Sequence, residues 1–423
     1  MKLGRALRNR DFARLFFAGA ASIGGFSIGQ VAVNYLVFTR THSSIDLAEV
    51  GVTFTVALVA FSLFAGTLAD RQDRRVVMIV SDAIRAAALG LGTLWFVFVG
   101  FNLPLVLVLS FILGSFSAMF QPAERAMIPA ILKKDLLAEA NGLVQLTSSL
   151  AQAVSNALGG ALVVAVGAIL AIGLNSVTFL VSGLLIATLT IRRPHRDQGG
   201  ERPPEGSPSF IEDTKEGARY IWGNKPLLLL TVSAGVGNLF FAMMLPYFVI
   251  YTTDLLHGDA TTYGLFLGVL SLGAAPGSVM VGRLGMISRA GLVWTLFGVV
   301  GGALLLVLVL VPVPVVDFGA IFVFGVGLGI AVTTWLSIVQ VIVPNEMQGR
   351  YFGIDQLGSV ALLPVGQALG GIAIASFGLP WTYEFAGGSF LLSGLVFLGF
   401  PSLRNLRYSG GAEPKGAVEL GPG

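Results

Sequence analysis

Two ionisable pairs interrupt stretches that are otherwise apolar. Asp82 and Arg85 stand three apart, which puts them on one face of any helix that carries them. Glu124 and Arg125 follow the helix-breaking Pro122. A carboxylate in such surroundings can carry a proton, whereas an Asp–Arg pair less than one turn apart can also simply neutralise itself. Both roles stand open for Asp82, self-neutralisation being the simpler. Glu124 and Arg125 also read as residues reaching towards a membrane surface, and Asp355 as a helix cap or part of a charge cluster. Other chemistries lack their residues. There is no Cys, and His42, His195 and His257 all lie outside the apolar runs, so no metal site and no cofactor are expected. No Gly-Lys-Ser/Thr occurs, which removes a phosphate-binding loop and with it ATP as a direct drive.

The elements that must position these groups follow from composition. The chain has 423 residues, 55% hydrophobic and 12% charged, with a mean hydropathy of +0.83. Soluble domains carry about twice that charged fraction, so a soluble enzyme is excluded. About 20 apolar residues cross a bilayer as a helix. Twelve such spans are expected, near 12–38, 47–69, 76–100, 103–124, 139–165, 168–191, 227–250, 262–282, 290–311, 317–343, 351–375 and 380–400. Of the 26 Lys and Arg, 24 fall at ends, loops and tails that alternate to one side, one (Arg40) falls on the other side, and Arg85 lies within a span. By the positive-inside rule both termini and the segment 192–226 are cytoplasmic. The sequence pI near 9.2 is therefore a topology signal, and no nucleic-acid partner is expected.

Residues 192–226 begin rich in Arg, Pro and Gly and end in a short amphipathic helical pattern, with Phe210, Ile211, Thr214, Ala218, Ile221 and Trp222 on its apolar side. This linker separates six spans from six. Shifted by 211 residues, 142–160 matches 353–371 with nine identities in nineteen, and Asn9 before the first span echoes Asn224 before the seventh. The pattern is that of parallel repeats. The expected layout is an N-terminal six-helix bundle (1–191), a cytoplasmic linker (192–226), a C-terminal six-helix bundle (227–403) and a cytoplasmic tail (404–423).

Between the second and third spans stands GTLADRQDRR at 66–75, which resembles the signature loop of the major facilitator superfamily. MFQPAERAMIP at 119–129, together with Asp82 and Arg85, resembles the drug:proton antiporter branch that includes macrolide-efflux and enterobactin-export proteins. The chain departs from that pattern at Asp73, where the general loop has Gly, and at Gly25, where many members of the branch carry an acid.

The resemblance implies an all-α membrane protein of twelve transmembrane helices in two pseudo-symmetric six-helix bundles. It implies a conformational latch of Gly66, Asp70, Arg71, Arg74 and Arg75, with Asp70 accepting from a helix N-terminus of the other half. Proton coupling then falls to Asp82, Arg85 and Glu124. The family's architecture lines the cavity with the first, fourth, seventh and tenth spans. In this chain these offer Gln30, Asn34 and Gln121 from the first half, and Asn238, Phe241, Tyr247, Thr334 and Trp335 from the second. That neutral, aromatic and amide-rich set suits amphiphilic solutes. The expected function is export of amphiphilic or aromatic small molecules by proton antiport, from a monomer in the plasma (inner) membrane whose partners are the solute, protons and the lipid bilayer. The alternatives are another solute class on the same fold (siderophore, lysophospholipid or imported metabolite) and, further off, a membrane enzyme or receptor.

Single cysteines placed in this Cys-free chain at Ser207 and at Gly258 are expected to react with an impermeant thiol reagent from opposite sides of the membrane. Labelling of both from outside would overturn the twelve-span topology.

Overall fold

The computed structural model describes residues 5–190, 210–284, 289–344, 347, 351 and 354–405. Within these, the side chains of 63–71, 134–135, 138, 210–214, 282–284, 340–341 and 356–357 lie outside the described set. The described residues are helical and contain no strand. Six long helices come first: α1 Arg10–Thr41, α2 Ser44–Arg71, α3 Arg74–Phe98, α4 Leu103–Ile131, α5 Lys134–Val166 and α6 Ala168–Ala187. The shorter α7, Phe210–Gly223, follows. Then come α8 Lys225–Ala242, α9 Ala260–Leu284, α10 Ala290–Leu310, α11 Pro314–Ile342, α12 Leu362–Phe377, α13 Leu379–Leu398 and a terminal turn, α14 Pro401–Arg404.

Eleven of the described helical stretches are long and apolar enough to cross a membrane. The twelfth expected span is α13. It has 20 residues, but Trp381, Thr382, Tyr383 and Glu384 make its opening turn polar. The linker's 191–209 and the tail's 406–423 lie outside the described residues. Of the expected amphipathic segment, α7 forms. It docks on the second unit through buried Ile221 and through Tyr220, whose hydroxyl donates to the Ile342 carbonyl at 3.3 Å, while Trp222 is 72% exposed.

The chain divides into two compact units, residues 1–202 with 249–268, and residues 203–248 with 269–423. Within the first, α2 packs on α4, α1 on α5 and α6, and α3 on α4 and α6. Within the second, α8 packs on α12 and α13, and α10 on α11 and α13, which are the same pairings one half later. The duplicated sequence thus folds into duplicated packing. Asn9 caps α1 by accepting from the amides of Asp11 and Phe12 at 3.0 and 3.1 Å, and Asn224 caps α8 by accepting from Leu227 at 3.3 Å. The echo between them is one N-cap used twice. Gly167 and Gly378, again 211 apart, precede α6 and α13 at φ of 87° and 85°, a backbone that a side chain would strain.

In hydrocarbon, helices associate by close packing and not by hiding apolar surface from water. Glycine therefore matters where backbones touch. A Cβ on Gly114 of α4 would run into the Phe54 carbonyl of α2 and stand 3.0 Å from Ala57. Overpacking costs about 1–3 kcal/mol and more where backbone must move. Gly114→Leu is expected to lower the melting temperature in detergent sharply. Gly388→Leu, at a position where a Cβ meets nothing within 4 Å, is expected to leave it nearly unchanged.

Candidate functional site

The first unit holds a closed charge site. Asp82 is fully buried and Arg85 is 3% exposed, and the Arg85 guanidinium donates to Asp82 Oδ1 at 2.5 Å. Its planar face lies between two rings, with Cζ 4.6 Å from the Phe120 centroid and 4.3 Å from that of Phe179. Ser117 Oγ accepts from Nη1 at 3.4 Å. Ser182 faces the Asp82 carboxylate, and Gly183 of α6 lets its Cβ approach closely. The cation is thus held by a carboxylate, a hydroxyl and two π-faces.

Glu124 projects towards α1, where Gly19 has no side chain to block its carboxylate. With Phe16, Ala20, Thr147 and Ser148 it lines a void of only about 20 Å³. Gly25, which replaces the acid expected in the first span, makes room for Thr178 and Asn175 of α6, so α1 and α6 close tightly there.

The latch residues divide. The side chains of Gly66, Asp70 and Arg71 lie outside the described residues. Asp73 caps α3 by accepting from the Arg75 amide at 2.9 Å. Arg74 donates to the Ala126 carbonyl of α4 at 2.9 Å, and Arg75 donates to the Ala187 carbonyl at the end of α6. At Ala187, the last residue of α6, the cation meets a carbonyl that has no partner in its own helix.

The second unit holds a cavity of about 280 Å³. Its wall is aromatic. Phe241 stacks on Phe324 with centroids 5.1 Å apart, and Phe297 lies 5.4 Å from Phe324 and 5.9 Å from Phe390. Trp294 and Trp335 complete it, the Trp294 indole donating to Ser233 Oγ at 2.8 Å. The polar edge is Asn238, Ser359 and Asp355. Asn238 donates its amide to the Ser359 carbonyl at 3.0 Å. Asp355, 3% exposed, accepts from Thr231 at 2.6 Å, from Ser359 at 3.3 Å and from Tyr351 at 3.4 Å.

A π turn, Gln356–Val360, begins beside Asp355. Pro364, four residues beyond it, cannot donate to the Val360 carbonyl, so the regular ladder is also interrupted just after the turn. Asp355 and Ser359, four residues apart, both lie on the cavity wall.

Of the expected cavity residues, Asn238, Phe241 and Trp335 line this space. Tyr247 does not: it is buried and donates to the Gln367 carbonyl, fastening the end of α8 to α12. Thr334 is buried outside the cavity lining, one position from Trp335. In the first unit Asn34 donates to the Tyr263 hydroxyl at 3.0 Å, Gln30 is half-buried and Gln121 is exposed. Sequence reasoning missed the contributions of α10 and α13 (Trp294, Phe297, Phe390, Phe397), and it set Asp355 apart from the cavity. The signals available were the Phe and Trp content of those spans and the proline nine residues after Asp355.

The profile described as the Major Facilitator Superfamily matches residues 15–362. The chain is 36% identical over 231 residues to the MFS-type transporter YkuC of Bacillus subtilis (strain 168), a match covering 53% of this chain and 52% of YkuC, about half of that relative. It is 26% identical over 404 residues to the multidrug efflux pump Tap of Mycolicibacterium fortuitum, covering 93% of this chain and 96% of Tap. Over 279 residues it is 26% identical to macrolide efflux protein A of Streptococcus pyogenes, covering 65% and 66% of the two chains. The solved structure of the nucleoside transporter NupG superposes with a TM-score of 0.75 at 9% identity, over 92% of this chain and 99% of NupG, a likeness of fold.

Removing one partner of a buried pair strands the other charge, at a cost of about 3–5 kcal/mol. Arg85→Gln is therefore expected to abolish or strongly reduce the folded yield, and the double change Asp82→Asn with Arg85→Gln to restore most of it. Thermal melting of the purified variants measures both.

Proposed function

Because the chain belongs to the Major Facilitator Superfamily, whose profile it matches over most of its length, we propose that this transporter exports amphiphilic or aromatic small molecules by proton antiport through alternating access. The observation that carries the reading is the cavity of the second unit, whose ring-lined wall with an amide, hydroxyls and one carboxylate at its edge fits a solute with aromatic faces and few polar groups. The efflux relatives Tap and macrolide efflux protein A lend it weight.

Coupling is assigned first to Glu124. It borders a small void between α1, α4 and α5, whereas Asp82 is engaged by Arg85. Asp82 and Arg85 form the second candidate, in which the pair opens as the proton is exchanged. The loop 66–75 is assigned the latch, with Asp70 on a helix N-terminus and Gly66 and Arg71 beside it. We place the protein in the plasma (inner) membrane as a monomer with both termini cytoplasmic, in keeping with the distribution of Lys and Arg.

In proteoliposomes, an acid lumen is expected to drive uptake of an aromatic amphiphile several-fold above both the level without a gradient and that of protein-free vesicles, and a protonophore is expected to abolish the difference. Glu124→Gln is expected to remove the gradient-dependent part. Gradient-independent transport by the unmodified protein would overturn antiport.

Asp70→Asn is expected to lower transport several-fold at unchanged folded yield, since a helix-end interaction of about 1 kcal/mol shifts a balanced two-state equilibrium by that much. Unchanged transport would return the loop to a purely topological role.

A further inference from the structure

The two units use one scaffold to different ends. Phe179 of α6 and Phe390 of α13 are 211 residues apart, the offset of the sequence repeat and of Gly167 with Gly378. In the first unit, Phe179 faces the Arg85 guanidinium, which Phe120 covers from another helix and Asp82 neutralises. In the second unit Phe390 faces the cavity. Phe297 and Phe324 stand beside it, and Asp355 lies on the same wall. Rings and a carboxylate are present, but a guanidinium is not.

Among the described residues the side chains that bond Asp355 are neutral: Thr231 comes from α8, Ser359 from the π turn, and the Tyr351 phenol is the one titratable group among them. The other residues that line the cavity from α8, α10, α11 and α13 are uncharged. The ion pairs among the described residues (Arg5–Glu139, Arg14–Asp11 and Arg85–Asp82) all belong to the first unit. An ionised carboxylate buried without a counter-ion is costly, and ring faces in a desolvated wall attract positive charge.

We propose that this cavity is a binding site for an aromatic organic monocation, with Asp355 as its counter-ion and the Phe297, Phe324 and Phe390 cluster against its charged head. The ligand's cation meets Phe390 as the Arg85 guanidinium meets Phe179, with the carboxylate supplied from a different span. The proposal rests on the reading of this cavity as the solute site, and it narrows the solute class to cations.

The test compares benzyltrimethylammonium with its uncharged carbon isostere neopentylbenzene. The two share a shape, and the quaternary nitrogen cannot exchange a proton. Binding to the full chain in detergent is measured by calorimetry, for the unmodified protein and for Asp355→Asn, which keeps the side chain's size and its hydrogen-bonding oxygen. The unmodified protein is expected to bind the cation at least tenfold more tightly than the isostere, and Asp355→Asn to remove that preference while the isostere stays within twofold.

A second measurement needs no variant. An aryl-azide quaternary ammonium is photolysed on the unmodified protein, and the labelled peptides are expected to include 233–241, 294–298 or 324–335. Labelling elsewhere overturns the cavity as the solute site. Labelling of this wall together with a charge preference that Asp355→Asn leaves intact, or with no preference in the unmodified protein, overturns the counter-ion assignment alone.

Discussion

Hydrocarbon offers no hydrogen-bond partner, so each polar group carried into the membrane must be closed off inside the bundle or line a cavity. The described polar contacts follow from this constraint. Arg85 is enclosed by Asp82, Ser117 and two rings. Where α8 gives way to short turns between Leu245 and Leu255, its loosened backbone is taken up by side chains, the Tyr383 hydroxyl donating to the Met244 carbonyl at 3.0 Å. Asn34 finds Tyr263, and Asn238 finds the Ser359 carbonyl. A polar residue in such a span is positioned by what it must bond.

The same constraint explains how far the sequence could be read. Apolar length marks each span, since a lipid-facing helix tolerates few charges, and the repeat announces itself through glycines whose role is backbone contact. Gly370 sits against Met243 and Tyr247 of the seventh span, as Gly159 sits against Ile28 and Val31 of the first. The Asp82–Arg85 spacing predicted a pair, and a pair forms. What spacing cannot give is the face of a span that meets the cavity, because a helix apolar all round has no dominant stripe. Trp294, Phe297 and Phe390 therefore passed unnoticed beside dozens of similar residues. Tyr247 was assigned to the cavity and instead ties the segment after α8 to α12, its hydroxyl donating to the Gln367 carbonyl. Asp355 reads as a cap or part of a charge cluster because it stands near the start of the eleventh span; it lies on the cavity wall, just before a π turn.

The units differ in contents more than in frame. Helix pairings, caps and inter-helix glycines recur, while the first unit fills its interior with an internal ion pair and leaves a void of about 20 Å³, and the second leaves about 280 Å³ beside a carboxylate. The helices that pair in the second unit, α8, α10, α11 and α13, are also the ones that line its cavity.

A π turn is an α-helix carrying one residue in surplus, and the surplus can be passed along the helix one hydrogen bond at a time. Each such step turns the segment it crosses by about 100°, exchanging the side chain shown to one direction for its neighbour. At Gln356–Val360 the surplus borders the cavity through Ser359 and Val360, with Pro364 four residues beyond. Because the same turn packs on α8 and α12, any such step would have to carry those contacts with it, so the cavity wall and the packing behind it form one joint.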